Sequence, residues 1–510
     1  MWRGKWGVVG AVAGMVLALS ALAIQREGPT FQYAGTRLRV DLTQPDAVVR
    51  TQSLARLPRD MLQVPLLHDL LSEDWAFYYQ QHEDRLALGG FIKRIAYERK
   101  LDWSESLLLS ALNEPAEVAF WRDGKGALRH YALMLRRNFV SRLMQQMAAL
   151  GLQDVQLQRV LDMETGNGVA PVYALKLHPR RILLLISQGD RLVLLSDPGL
   201  LLDSNQRVVA TSQAALLSWL HDDNSLSKKF SLVDAGRSTH TLAIGASALS
   251  LGYADLMSGF KGLRFDFGGG WSTAAWLDGG GGRLGDAALW QVAPVNPAAC
   301  LVLPVEWRTV KRVVNEAEKK PPSAHALLAL DGPALACWYA DSKLYSPVFM
   351  ARLAQALPNR AKALSDLADW ALKGEGSVQG GQAANVSVWR GKQQAALAVS
   401  GQWVAFSPDG ALVDKVLDTV AHTLPSVADQ ADTSNRTLAV LTPQSLSGMA
   451  EREMLQALNG EGSLLTVAQS QLPTRLRTLN RYPPYLLELQ GNGRSGWQSV
   501  GWLSKEAAKP

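Results

Sequence analysis

Short apolar stretches alternate along the chain with polar or glycine-containing breaks, and two long segments repeat the same order. In the first, Tyr173–Leu177, Ile182–Ile186 and Leu192–Leu195 read as successive strands, each rich in aliphatic or aromatic residues and bounded by turn formers. Thr211-Ser212-Gln213 then opens a segment in which Leu216, Leu217, Trp219 and Leu220 recur at helical spacing. In the second, Val386–Trp389, Ala395–Val399 and Trp403–Phe406 are the strands, and Ala411–Val420 carries Leu412, Val413, Val416, Leu417 and Val420 on one helical stripe. Strands in series followed by a helix predict an α+β fold, antiparallel sheets with helices packed on one face.

The two segments also echo one another residue by residue. Ser196, Gly199 and Asp203 fall on Ser407, Gly410 and Asp414 without a gap. Upstream, the stretch Glu114-Pro-Ala-Glu-Val-Ala-Phe-Trp-Arg-Asp123 is echoed by Gly332-Pro-Ala-Leu-Ala-Cys-Trp-Tyr-Ala-Asp341. Two echoes in the same order predict two similar, duplicated lobes. Residues 28–225 form the expected first lobe and 226–430 the second, with 431–510 a C-terminal element packed on the second.

The beginning of the chain differs from everything after it. Arg3 and Lys5 precede an apolar run from Trp6 to Ile24, which as a helix of about 19 residues matches the hydrocarbon core of a bilayer. Residues 1–27 are therefore expected to form a cytoplasmic tip and signal-anchor helix in the inner membrane, with the body on the periplasmic side. Ala21-Leu22-Ala23 also has the small-x-small form of a signal-peptidase site, so cleavage after Ala23 is the alternative.

A composition of 47% hydrophobic and 19% charged residues predicts a folded body, and a net charge of +6 is dilute over 510 residues. No basic stripe interleaved with aromatics is present, which excludes nucleic acid as an expected partner. Cys300 and Cys337 are the two cysteines. An oxidising compartment allows a disulfide between them, while their strand-like apolar contexts equally suit two buried thiols.

Catalytic signatures do not emerge. The chain has no Gly-x-Ser-x-Gly elbow and no His-Glu-x-x-His, and its eight histidines include no pair at three or four residues. The glycines of 268–282 are followed by no Lys-Ser/Thr pair, so they form no phosphate loop. Ser225-Leu-Ser-Lys228 fits the Ser-x-x-Lys of some acyl-transferases but lacks the companion motifs, and His221-Asp222-Asp223 reads as a solvated helix end. No catalytic residue, metal or cofactor is expected. Trp271 and Trp276, set among the flexible glycines, are the expected binding residues.

The Glu114–Trp121 stretch, Phe265-Asp-Phe-Gly-Gly-Gly-Trp271 and Gly332–Tyr345 together resemble a bacterial envelope family of unknown function. That family is found as a component of the periplasmic alpha-2-macroglobulin-like protease-trap system. The resemblance implies a non-enzymatic accessory or scaffold subunit at the inner membrane, with the trap protein and other envelope subunits as partners. The chain does not resemble the trap itself, being too short and lacking its Cys-x-Glu-Gln thioester. Two other functions fit the sequence: a cell-wall or peptide hydrolase with a site defined only in space, and an envelope sensor or small-ligand-binding protein.

Overall fold

A computed structural model describes most of residues 37–57, Asp60, and most of 115–136, 157–249, 259–312, 329–372, 386–457 and 476–504. The Trp6–Ile24 run lies outside the described residues, as do Ser225 and Asp222-Asp223. Among the described residues, no helix is long and apolar enough to cross a membrane.

Chain contacts divide the structure into two units. The first holds Met1–Ala248 and Arg264–Trp271, and the second Leu249–Leu263 and Ser272–Pro510. The division falls after Ala248 and not at Ser225, because a strand beyond Ser225 completes the first sheet.

The first unit contains β1 (Ala47–Thr51), β2 (Ala116–Arg122), β3 (Leu128–Arg136), β4 (Leu157–Thr165), β5 (Gly168–His178), β6 (Arg181–Gln188), β7 (Arg191–Leu195), helix α1 (Ala210–His221) and β8 (His240–Gly245). Every pairing is antiparallel, in the order β4, β5, β6, β7, β3, β2, β1, β8. All five residues of β7 are buried, and so are Leu183–Ile186 of β6. Such continuous apolar strands are covered on both faces. One cover is α1, which lays Ala215, Leu216, Trp219 and Leu220 inward, with the Trp219 ring 6.1 Å from that of Trp121. Strand β9 (Phe260–Phe267) is divided, its residues from Arg264 onward belonging to this unit.

The second unit contains β10 (Ser272–Leu277), β11 (Ala299–Leu303), β12 (Leu330–Trp338), β13 (Val348–Leu353), α2 (Arg360–Ala371), β14 (Val386–Arg390), β15 (Ala396–Ser400), β16 (Trp403–Ser407), α3 (Gly410–Val420), β17 (Thr437–Leu441), α4 (Pro443–Ala457), β18 (Tyr485–Leu489) and β19 (Gly496–Ser504). The order is β14, β15, β16, β13, β12, β11, β17, β18, β19, β10, again wholly antiparallel. The C-terminal residues are thus two strands of this sheet, paired to β17 and β10.

Helix α3 shows how the sequence fixes one of these elements. Asp409 is its N-cap and accepts a hydrogen bond from the Ala411 N–H, which satisfies one of the free donors of the first turn. Its stripe of Leu412, Val413 and Val416 is buried against Val302, Leu335, Val348, Ala398 and Ala405 of the sheet. Each such side chain contributes about 1.5–3 kcal/mol relative to exposure, as an upper bound.

Candidate functional site

The first sheet carries charge where a sheet interior is normally apolar. Antiparallel register sets Arg50 of β1 directly opposite Glu117 of β2 and Thr241 of β8, so the three side chains share one face. Glu117 is 6% exposed. Its Oε1 lies 3.6 Å from Arg50 Nε and accepts a hydrogen bond of 3.3 Å from Ser227 Oγ. Its Oε2 is buried without a hydrogen-bond partner. Thr241 continues the row by donating to Asp266 Oδ1 at 2.7 Å, and Asp266 is paired with Arg264 at 2.9 Å.

Both arginines near Glu117 are held from behind by main chain. Arg50 Nη1 donates to the Leu232 carbonyl at 3.1 Å, and Arg191 Nη1 to the Trp219 carbonyl at 2.8 Å. Burial pushes the Glu117 carboxyl above its ordinary value, while Arg50, Ser227 and Arg191 pull the other way. An unmade hydrogen bond at such a group costs about 1–3 kcal/mol. The cluster borders a cavity of about 140 Å³ lined by Arg50, Thr51, Gln52, Glu117, Met134 and Arg191, among others.

On the opposite face of β1, Thr51 stands across from His240. Thr51 Oγ1 is 2.7 Å from His240 Nδ1, and His240 Nε2 is 2.9 Å from Asp60 Oδ2. With the ring proton on Nε2 and donated to Asp60, Nδ1 accepts the Thr51 hydroxyl, the order of bonds found in hydrolase triads. The environment argues against that use. Thr51 is 1% exposed and its hydroxyl oxygen, already bonded to His240, also accepts the Ser53 N–H at 3.0 Å, so the hydroxyl is fully engaged within the fold. Burial holds His240 below its ordinary value of 6.5 against the opposite pull of Asp60, so the ring is neutral near pH 7. The chain of bonds joins β1, β8 and the segment at Asp60.

The residues expected to bind are placed as follows. Gly268, Gly269 and Gly270 have φ of 91°, 141° and 107°, a left-handed path that ends at Trp271, which is 39% exposed. Trp276, in the second unit, is half-buried and sits directly opposite Trp497 on β19, ring centroids 5.4 Å apart. On the other face of β19, Trp502 donates to Thr273 Oγ1 at 2.8 Å and packs edge-on against Tyr485. Cys300 and Cys337 are directly opposed on β11 and β12, with Cα atoms 4.1 Å apart, and are joined as a disulfide. Among the described residues, no group of three or more His, Cys, Asp or Glu is placed to hold a metal ion.

Sequence reasoning missed the polar row and the Thr51–His240–Asp60 chain. The latter joins residues 180 and 189 positions apart, which no local spacing reveals. Glu117 did leave a signal, because the echo that pairs Pro115-Ala116 with Pro333-Ala334 pairs Glu117 with Leu335.

The fold and site define an antiparallel α+β protein with a charged, partly open recess in its first unit. The chain matches, over residues 6–395 and 391–504, the family described as an uncharacterized protein conserved in bacteria, DUF2138, and it belongs to that family. It is 29% identical to the uncharacterized protein YfaA of Escherichia coli strain K12 over 556 residues, covering 98% of this chain and 97% of that protein. Among solved structures, crystal form III of TP0453 is similar at 8% identity, covering 78% of this chain and 100% of that one, with a TM-score of 0.19, too slight a likeness to bear on the fold.

Proposed function

We propose that this chain is a non-enzymatic binding subunit of the bacterial envelope, held at the inner membrane by Trp6–Ile24 with its body in the periplasm. The observation that carries the binding role is the half-buried aromatic pair Trp276–Trp497, directly opposed on β10 and β19 with ring centroids 5.4 Å apart. Aromatic side chains set in this way bring large contact area at low entropic cost. The disulfide supports an oxidising compartment. The family match begins at residue 6, so the apolar run falls within the family's extent. The partner implied by the sequence resemblance is the alpha-2-macroglobulin-like trap protein.

Two similar lobes are part of the same reading. The order β5, β6, β7, β3, β2, β1, β8 corresponds strand for strand to β14, β15, β16, β13, β12, β11, β17. Asp46 donates its N–H to the Phe120 carbonyl and Ala298 donates to that of Trp338, at the same step of each ladder. Gly245 and Thr442 then donate to the carbonyls of Asp46 and Ala298. Correspondence at this detail supports duplication.

Affinity purification of the tagged full chain from native membranes in mild detergent tests the partner. Co-purification of the trap protein, lost on replacing Trp276 and Trp497 together by Ala, is expected. Recovery of the chain alone while the trap protein is expressed would remove this reading.

A further inference from the structure

We propose that the cavity bordered by Arg50, Glu117 and Arg191 in the first unit is a binding site for a small α-amino acid in its zwitterionic form. The fold does not require this charge. At the corresponding step of the second sheet, β11 and β12 set Val302 opposite Leu335, 6% and 0% exposed. The Glu117 side chain is 7% exposed and that of Arg50 30%; replacing an ion pair that buries a carboxylate by apolar residues is often neutral or stabilising, so a sheet that solves the position with Val and Leu has no structural need for Arg and Glu. Buried polar groups that break such a local rule concentrate at functional sites.

The chemistry around the cavity has two signs. Arg50 and Arg191 are fixed by the carbonyls of Leu232 and Trp219, and such anchored guanidinium groups recognise carboxylate well. Glu117 beside them keeps one oxygen without a donor. A simple anion would leave that oxygen unsatisfied, and a simple cation would face two guanidinium groups. A molecule carrying both carboxylate and ammonium answers both demands. The recess is partly open to solvent and offers about 140 Å³, room for a small molecule. A protein cavity of roughly 150 Å³ accommodates benzene, and glycine, alanine and serine have about as many heavy atoms.

The test is calorimetric titration of the full chain in mild detergent with glycine, both enantiomers of alanine, and serine, with acetate and methylamine as the separate halves. Saturable binding of at least one amino acid is expected, with each half at least tenfold weaker. Glu117→Gln should weaken binding at least tenfold. Arg50→Val combined with Glu117→Leu, which copies the second sheet, should abolish binding at an unchanged or higher Tm. Three results would overturn the proposal: no saturable binding to the folded parent, meaning that the cavity takes water only; acetate binding as tightly as any amino acid; or full binding by Glu117→Gln. Should the double variant fail to fold, Glu117→Gln decides alone. The site stands apart from the partner reading, since trap co-purification and amino-acid titration succeed or fail independently.

Discussion

At the scale of single residues, two buried titratable groups in the first unit act on stability with opposite sign. Burial lowers the folded pKa of His240 below 6.5. As pH falls through about 6.5, the unfolded chain binds a proton that the folded chain does not, so stability declines until the folded pKa is also passed. Glu117 is the reverse case, with its folded value raised above 4.5. On acidification the folded chain takes up this proton first, so stability rises as pH falls through the folded pKa and levels off below about 4.5. Urea midpoints measured from pH 8 to 4 should therefore lose part of their decline below pH 6.5 in His240→Gln, and lose an opposing gain at lower pH in Glu117→Gln. Identical pH profiles for the parent and His240→Gln would mean that His240 is not held neutral by the fold.

At the scale of elements, the corresponding strands invite a comparison at the disulfide. The cross-strand pair that is Cys300 and Cys337 in β11 and β12 is Val48 and Ala119 in β1 and β2, both fully buried. Cys300→Val with Cys337→Ala copies the apolar pair that stands opposed on β1 and β2 and leaves no free thiol. The loss should be that of the crosslink, about 3–4 kcal/mol for a loop of this length in the entropic model, and the folded circular dichroism should be unchanged. An unaltered denaturation midpoint would show that the crosslink contributes nothing. Strands β5 to β7 and β14 to β16, and helices α1 and α3, were legible in the sequence, because their apolar periods and turn residues are local. Strands β18 and β19 were not resolved beyond a C-terminal element, since Glu488, Gln498 and Ser499 interrupt the apolar pattern and their pairing with β17 and β10 is long-range. The charged cavity was hidden for the same reason: Arg50 and Glu117 meet only through register, and a lone Glu in a strand reads as an outward-facing residue until its partner is known.

At the scale of the whole molecule, the proposed membrane attachment depends on the apolar run at the beginning of the chain. A helix over Trp6–Ile24 removes about 19 mostly apolar residues from water, far more than peripheral attachment through surface charge offers. Such a chain stays in the membrane pellet through high salt and alkaline washing, both of which strip proteins held by electrostatics. The mass of the retained product should include the N-terminal segment. A soluble product beginning at Ile24 would instead identify Ala21-Leu22-Ala23 as a cleavage site and leave a freely diffusing periplasmic protein. The disulfide distinguishes a third outcome. Alkylation of intact cells followed by reduction and a second label should find Cys300 and Cys337 protected in either periplasmic form, whereas a cytoplasmic body would present both as thiols. Thiols at both positions would therefore overturn the periplasmic placement even if the chain remained in the membrane.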